Sequence, residues 1–354
     1  MDILVLNSGS SSLKFAVYGP ADEPALAGSA EGISRPNGTL NITNILTQDH
    51  ILETQEDALK KLSTHIPQAL SAVAHRVVHG GPHLREHTII TPAILDQLRA
   101  AIHFAPLHIP QAIALIEQAQ KIFPNVPHIA CFDNAFHRTL PEVAAHLPLP
   151  TKYFEQGVQR YGFHGLSCES VVVRLAAKLP ARTIIAHLGN GSSLTALRDG
   201  RSIDTSMGLT PTGGLPMGTR SGDLDPGVLL YLMRTESLDA GALETLLNHQ
   251  GGLAAFSNGE SDMQALLART DAPAQLAVQA FTTAIRKTIG AYAALLGGLD
   301  LLVFTGGIGQ HSSTIRDGAC TGLDFLGLTP EKILVLPTQE ELQMARHARL
   351  LLKP

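Results

Sequence analysis

The chain alternates between two hydrophobic rhythms. Short runs of strand-forming residues, such as Ile3-Leu4-Val5-Leu6, Phe15-Ala16-Val17-Tyr18, Ile184-Ile185-Ala186 and Leu301-Leu302-Val303-Phe304, recur along it. Between them lie longer segments whose apolar residues stand three and four apart, predicting helices over 91–102, 110–121, 167–178 with Ser167 as cap, 224–234 and 272–296. The end, "ILVLPTQEELQMARHARLLL", predicts a strand, a Pro-Thr turn and a helix that must pack somewhere. Strands alternating with helices predict an α/β class with mixed sheets flanked by helices.

The breaks in this pattern carry further information. "LVLNSGSSSLKFAVY", Leu4 to Tyr18, is echoed about 180 residues on by "IIAHLGNGSSLTALRDG", Ile184 to Gly200. In both, a strand runs into a Gly/Asn/Ser turn, Gly-Ser-Ser recurs, and a Leu opens the second strand. One such turn is ordinary hairpin punctuation. Two imply a duplicated domain, each half opening with a hairpin whose bare N–H groups and hydroxyls can cradle phosphate. A third turn, Gly306-Gly307-Ile308-Gly309, follows a strand-like run and precedes a helix capped by Ser312 or Ser313. It lacks the G-x-G-x-x-G spacing, and the chain contains no Gly-Lys pair, which excludes the P-loop.

Length and composition narrow the class. At 354 residues the chain exceeds the roughly 250 to 300 residues at which single cores stop growing, so two domains with a cleft are expected. Hydrophobic residues make up 44% and charged residues 16%, which is globular and not disordered. A net charge of −5 without a basic block argues against nucleic acid as a partner. Met1-Asp2-Ile3-Leu4 opens a strand and not a leader, and no apolar run is long enough to span a bilayer, so a cytoplasmic protein without membrane partners is expected. Cys131, Cys168 and Cys320 are odd in number and far apart, as in a reducing compartment.

Several polar residues sit where a core would not place them. His75 and His79 are four apart, but no HExxH follows and the stretch reads as a strand ending at Gly80-Gly81. Arg76 between them is an anion-binding candidate or one half of a salt bridge. Arg220 lies in the glycine-rich "MGTRSGDLDPG". Asp133 follows an apolar strand and is a helix cap or a metal or catalytic ligand, while Phe163 and His164 stand between glycines in "RYGFHG". Arginines, histidines, phosphate-cradling turns and a lone acid together imply a site for two anions, as in phosphoryl transfer assisted by Mg²⁺.

These residues resemble, in order and over nearly the whole chain, the acetokinase family of the sugar kinase, Hsp70 and actin superfamily. The resemblance rests on "NSGSSSLKF", "HRVVHGG", "PLHIP", "FDNAFHRTLP", "RYGFHGLS", "HLGNGSS", "SIDTSMGLTPTGGLPMGTRSGDLDP", "FTGGIG" and "PTQEEL". It implies a two-lobed, duplicated ribonuclease H-like (actin-like ATPase) fold. One lobe would comprise 1–137 plus 337–354, and the other 138–336. It also implies ATP-dependent phosphorylation of acetate to acetyl phosphate, with Mg²⁺ or Mn²⁺, and a homodimer.

Residue by residue, the resemblance makes Asn7 and Glu340 metal-site residues. Lys14, with Ser10 and Ser12 beside it, becomes a contact for the nucleotide phosphates. The second phosphate loop is His187, Leu188, Gly189, Asn190 and Gly191. The adenosine side is Asp262, Met263 and Gln264 with Gly307, Ile308, Gly309, Gln310 and His311. Arg76 and Arg220 are the substrate and transition-state arginines, Asp133 the catalytic acidic position, and His164 and His187 face the transferred group. Val78, Leu107, Phe163 and Pro211 form the acyl pocket, with His108 nearby. Acetate is already ionised at neutral pH and needs no general base, so Asp133 reads as a metal or water ligand.

The sequence departs from the family pattern at Gln310 and His311, where Glu and Asn are usual, and at Gln264, where Arg is usual. These changes bear on nucleotide preference. The chain is also shorter than typical members between Tyr18 and His75 and between Leu326 and Leu336. The competing expectations are a propionate or butyrate kinase and a catalytically inactive, nucleotide-dependent binding module.

Overall fold

The computed structural model describes residues 1–9, 12–34, 37–67 and 69–353, and divides into two compact units. The first comprises Met1–Ala135, Gly165–Ser170 and Gln339–Pro354; the second comprises Phe136–His164 and Val171–Thr338.

In the first unit, β1 (Ile3–Ser8), β2 (Ser12–Tyr18), β3 (Pro24–Glu31), β4 (Gly38–Ile42) and β5 (Leu46–His50) form an antiparallel meander. Beyond β1 the sheet continues with β6 (Ala72–Val77), β7 (Thr88–Ile89) and β8 (His128–Phe132), in the order β5-β4-β3-β2-β1-β6-β8-β7. β6 runs parallel to β1 and β8 parallel to β6. Alternation along β1 explains the layering. Leu4 and Leu6 pack with Leu13, Phe15 and the helices Gln55–Leu62 and Ile109–Ile122, whereas Ile3 and Val5 face Met344, Ala345 and Ala348 of the terminal helix Glu340–Leu351. That is where the terminal helix packs.

The second unit's sheet is β9 (Arg182–Leu188), β10 (Ser192–Arg198), β11 (Arg201–Thr205), β12 (Leu301–Thr305) and β13 (Ile333–Val335), in the order β11-β10-β9-β12-β13. β9 with β10 and β10 with β11 are antiparallel; β9 with β12 and β12 with β13 are parallel. This repeats the sense and order of β3-β2-β1-β6-β8, so the echoed hairpins head two copies of one topology. Ile184, Ala186 and Leu188 pack on Phe281, Ile285 and Ile289 of the helix Ala272–Leu296. That helix starts at Asp271, whose carboxylate accepts from Ala274 N at 3.3 Å, and stops at Gly297, whose φ of +72° suits glycine.

Most predicted helices are present, with shifted ends: Pro92–Ala100, Ile109–Ile122 and Pro226–Thr235. Two details differ. The helix expected to begin at Ser167 begins at Gly165, and its cap position is His164 at φ +57°. The turn at Gly306 is itself a short helix, Gly306–His311, followed by Ser313–Cys320, which Ser312 caps by accepting from Ile315 N at 3.3 Å.

Candidate active site

In the first unit the ends of β1, β6 and β8 meet the start of the terminal helix. Arg76 on β6, half-buried, and Asp133 just past β8, buried, form an ion pair: Nε donates to both carboxylate oxygens at 3.0 Å, and Nη2 donates to Oδ2 at 2.5 Å. Nη1 donates to Asn7 Oδ1 at 3.2 Å and to the Ser8 carbonyl at 3.4 Å. The Asn7 amide nitrogen in turn donates to Glu340 at 3.1 Å and Glu341 at 2.8 Å. Burial alone would lower the affinity of Arg76 for its proton, but Asp133, Glu340 and Glu341 outweigh it and hold the guanidinium above its ordinary range. Burial pushes the Glu340 carboxyl up; Arg76 opposes this, and Asp133 and Glu341 reinforce it.

The structure thus brings Arg76, Asp133, Asn7 and Glu340, each singled out in the sequence, into one cluster, and adds Glu341, the second acid of "PTQEEL". The donor set fits a hard divalent cation. Three carboxylates share one guanidinium, and Asp133 and Glu341 add to the burial that raises Glu340, a charge imbalance that such an ion would relieve. Asn7 presents its nitrogen to the glutamates and its oxygen to Arg76, so it orients those carboxylates. Lys14 is exposed on β2 directly opposite Asn7, and Ser12 is half-buried at the start of that strand. Ser10 lies outside the described residues.

The second unit gathers the second phosphate loop, the histidines and Arg220. His164 and His187 stack at 4.2 Å between ring centroids, and His164 Nδ1 lies 2.9 Å from Ser193 Oγ. Ser193 pairs with His187 across the β9–β10 hairpin. A Cβ built on Gly191 would stand 3.2 Å from His164 Nε2 and 3.5 Å from Arg220 Nη1, so loop, imidazole and guanidinium converge there. Arg220 is steadied by Nη1 donating to the Pro211 carbonyl at 3.1 Å. The local chain requires its glycines. Gly162 has φ +72°, and a Cβ on it would meet the His137 ring at 2.8 Å. His137 in turn bonds the Phe163 carbonyl and Ser202 Oγ, each at 2.9 Å. Gly306 has φ +76° against the Leu188 backbone.

The remaining candidates divide by unit. Val78, Leu107 and His108 belong to the first, and Phe163 and Pro211 to the second, where both are buried. On the adenosine side, Asp262 caps the helix Met263–Ala268 by accepting from Ala265 N at 2.8 Å, and Met263 is buried in the core. Gln264, Gly307 and His311 are exposed; Ile308 and Gln310 are half-buried; Gly309 is buried. In the second phosphate loop Leu188 is buried in the core, while Gly189 and Asn190 are half-buried and exposed.

His87, Glu169 and His347 bring one ligand atom each within 4.8 Å of one another. The Phe132 N–H donates to His87 Nδ1 at 3.0 Å, however, which leaves the proton of the neutral ring on Nε2 and no lone pair there for a metal. With His347 and Glu169 bonded at 2.7 Å, the trio ties the terminal helix to Gly165–Ser170 within the first unit.

A duplicated α/β topology, each copy opening with a glycine- and serine-rich hairpin and carrying an arginine beside it, defines the actin-like ATPase fold and a phosphate-handling protein. The model of the acetokinase family matches residues 2–346. An acetate kinase from Sulfurovum sp. (strain NBC37-1) is 39% identical over 396 residues of alignment, covering 99% of each chain. One from Rhodopseudomonas palustris (strain ATCC BAA-98 / CGA009) is 40% identical over 392, covering 98% of this chain and 97% of that one. Among solved structures, Porphyromonas gingivalis acetate kinase superposes with a TM-score of 0.88 at 33% identity, covering 99% of this chain and 100% of that one. A propionate kinase from Francisella tularensis subsp. tularensis SCHU S4 does so with a TM-score of 0.91 at 36% identity and 98% coverage of both. The chain belongs to the acetokinase family, whose members are ATP-dependent kinases that phosphorylate acetate.

Proposed function

We propose that this chain transfers the γ-phosphoryl group of ATP directly to acetate, giving acetyl phosphate and ADP, and that Arg76, Asp133, Asn7 and Glu340 act in the same reaction as Arg220, His164 and His187. The observation that carries the reading is the placement of a cationic fork beside a phosphate hairpin in each unit: Arg76 next to Asn7 and Ser8, and Arg220 next to Gly191. Acetate attacks as its carboxylate, so no residue need remove a proton; the barrier is repulsion between two anions. Arg220 offsets it with full charge and planar N–H donors aimed at the transferring group. His164 and His187, adjacent to the same loop, donate to its oxygens. Arg76, already bonded to Asp133, has less charge to offer and orients the acyl carboxylate through the N–H left over.

Asp133 and Glu340, the latter oriented by the Asn7 amide nitrogen, would hold Mg²⁺, which when bound would neutralise phosphate charge. Lys14 contacts the phosphates, and 307–311 with 262–264 carry the nucleoside. The candidates for contact with the acetate methyl group are Val78 and Leu107, with the histidine His108, in the first unit and Phe163 and Pro211 in the second. A propionate kinase among the structural neighbours favours testing a longer chain, since one methylene is worth about 1 to 3 kcal/mol in an apolar pocket.

The test is incubation with Mg-ATP and a series of short carboxylates, trapping acyl phosphate as its hydroxamate. The acetate product is expected in excess. A larger yield from propionate would move the assignment, and no hydroxamate from any acid would overturn it.

A homodimer fits the second unit. No residue of the helix Pro226–Thr235 is buried, and Leu230, Tyr231 and Met233 are 50%, 62% and 45% exposed. A second copy would cover them, and Tyr231→Glu would then shift the sedimentation coefficient to that of a monomer. No helix among the described residues is long and apolar enough to cross a membrane.

A further inference from the structure

Outside the clusters above, one buried polar side chain reaches the first hairpin. Gln55 is 6% exposed and opens the helix Gln55–Leu62. The helix is fixed by Thr54, which accepts from Asp57 N at 3.2 Å, and by Ala58, Leu59 and Leu62 in the core. From this anchored position Gln55 Nε2 donates to the Gly9 carbonyl at 2.5 Å, across 46 residues. The Gly9 N–H is taken as well, donating to the Ser12 carbonyl at 2.8 Å. Gln55 Oε1 is buried and finds no partner among the described residues.

We propose that Gln55 is a positioning residue for the nucleotide: its carboxamide holds the Gly9 carbonyl out of the path of the phosphates. The proposal rests on reading the first hairpin as a phosphate cradle. A turn of this kind attracts an anion only when its N–H groups face the ligand and its carbonyls do not. Glycine at position 9 has no side chain to fix its peptide, so another group must. A donor bonded to that carbonyl does so, and a glutamine does so without adding charge beside the polyphosphate. Glutamate would turn acceptor oxygen on acceptor oxygen and bring a negative charge to the phosphates. Leucine keeps the volume and removes the donor. Histidine places a ring N–H the same number of bonds from the backbone and can restore it.

The test measures ATP affinity by displacement of a fluorescent ATP analogue, together with kcat and KM for ATP and for acetate, in wild type, Gln55→Leu, Gln55→Glu and Gln55→His. Gln55→Leu is expected to weaken ATP about tenfold, and Gln55→Glu more, with KM for acetate unchanged; Gln55→His is expected within about threefold of wild type. A merely structural role would instead lower active enzyme without moving KM for ATP, and the histidine variant would not rescue selectively. Unchanged ATP affinity in both the leucine and glutamate variants, or equal losses for ATP and acetate, would overturn the proposal. Wild-type protein that binds ATP yet forms no acyl phosphate would refute the kinase reading alone, since the displacement series does not depend on turnover.

Discussion

Replacing Asp133 by asparagine removes a charge while keeping its shape. Arg76 Nε meets both Asp133 oxygens at 3.0 Å and Nη2 meets one at 2.5 Å. Asparagine offers a single oxygen and turns its NH₂ toward a guanidinium N–H. A charge-assisted bond is worth about 1.5 to 3 kcal/mol, and breaking a buried pair costs about 3 to 5 kcal/mol. Asn7, Ser8 and the charge of Glu340 still serve Arg76, which keeps the loss near the lower figure of about 3 kcal/mol. For a folding unit of about 150 to 250 residues, each kcal/mol moves the midpoint by about 2 to 4 °C, so the first unit should melt about 6 to 12 °C lower. Scanning calorimetry at neutral pH measures it, and the hydroxamate assay should show kcat/KM down about a hundredfold. A midpoint within about 2 °C of wild type, with turnover intact, would refute the claim that Asp133 holds Arg76 in place.

Arg220→Lys keeps the charge but not the fork; turnover should fall at least about a hundredfold while ATP affinity, read by analogue displacement, stays near wild type. Gly191→Ala puts a methyl between His164 Nε2 and Arg220 Nη1, so kcat should drop with little change in melting temperature, which steady-state kinetics and a thermal scan distinguish. His75 Nε2 and His128 Nδ1 are 2.9 Å apart; burial, and for His75 the neighbouring His128, lowers their pKa values below 6.5. Burial disfavours their protonation in the folded state while the unfolded chain protonates freely, so their contribution is complete at about pH 7.5 and is progressively lost as the pH falls through 6.5 toward about pH 5.5. Urea titrations at both pH values should show a smaller pH dependence for His75→Gln than for wild type.

What could be read in advance follows from range. The hairpins, Arg76 and Asp133 lie in local patterns, a strand then a turn, Arg220 in a glycine-rich loop, and the duplicated order of strands followed from the echo at Ile184. Partners chosen by tertiary contact left no such mark. Glu341 reaches Asn7 across 334 positions, and Gln55 reaches Gly9 across 46. Ser193 gains meaning only through its bond to His164. The cap at His164 was missed because a non-glycine residue at φ +57° is held by its surroundings: its ring stacks on His187 and bonds Ser193. Arg76 read as an anion binder or one half of a surface salt bridge; the structure shows the ion pair, with Asp133, but largely buried, because the packing of β6 beside β8 decides how deep that strand end lies.

The central claim is that Arg76 and Arg220 both serve the one phosphoryl transfer to acetate, and a double-mutant cycle on kcat/KM tests it most directly. Arg76→Ala and Arg220→Ala are each expected to cost about a thousandfold or more, and the double variant little beyond the worse single one. Losses that multiply independently, or either single variant turning over acetate at the wild-type rate, would contradict it.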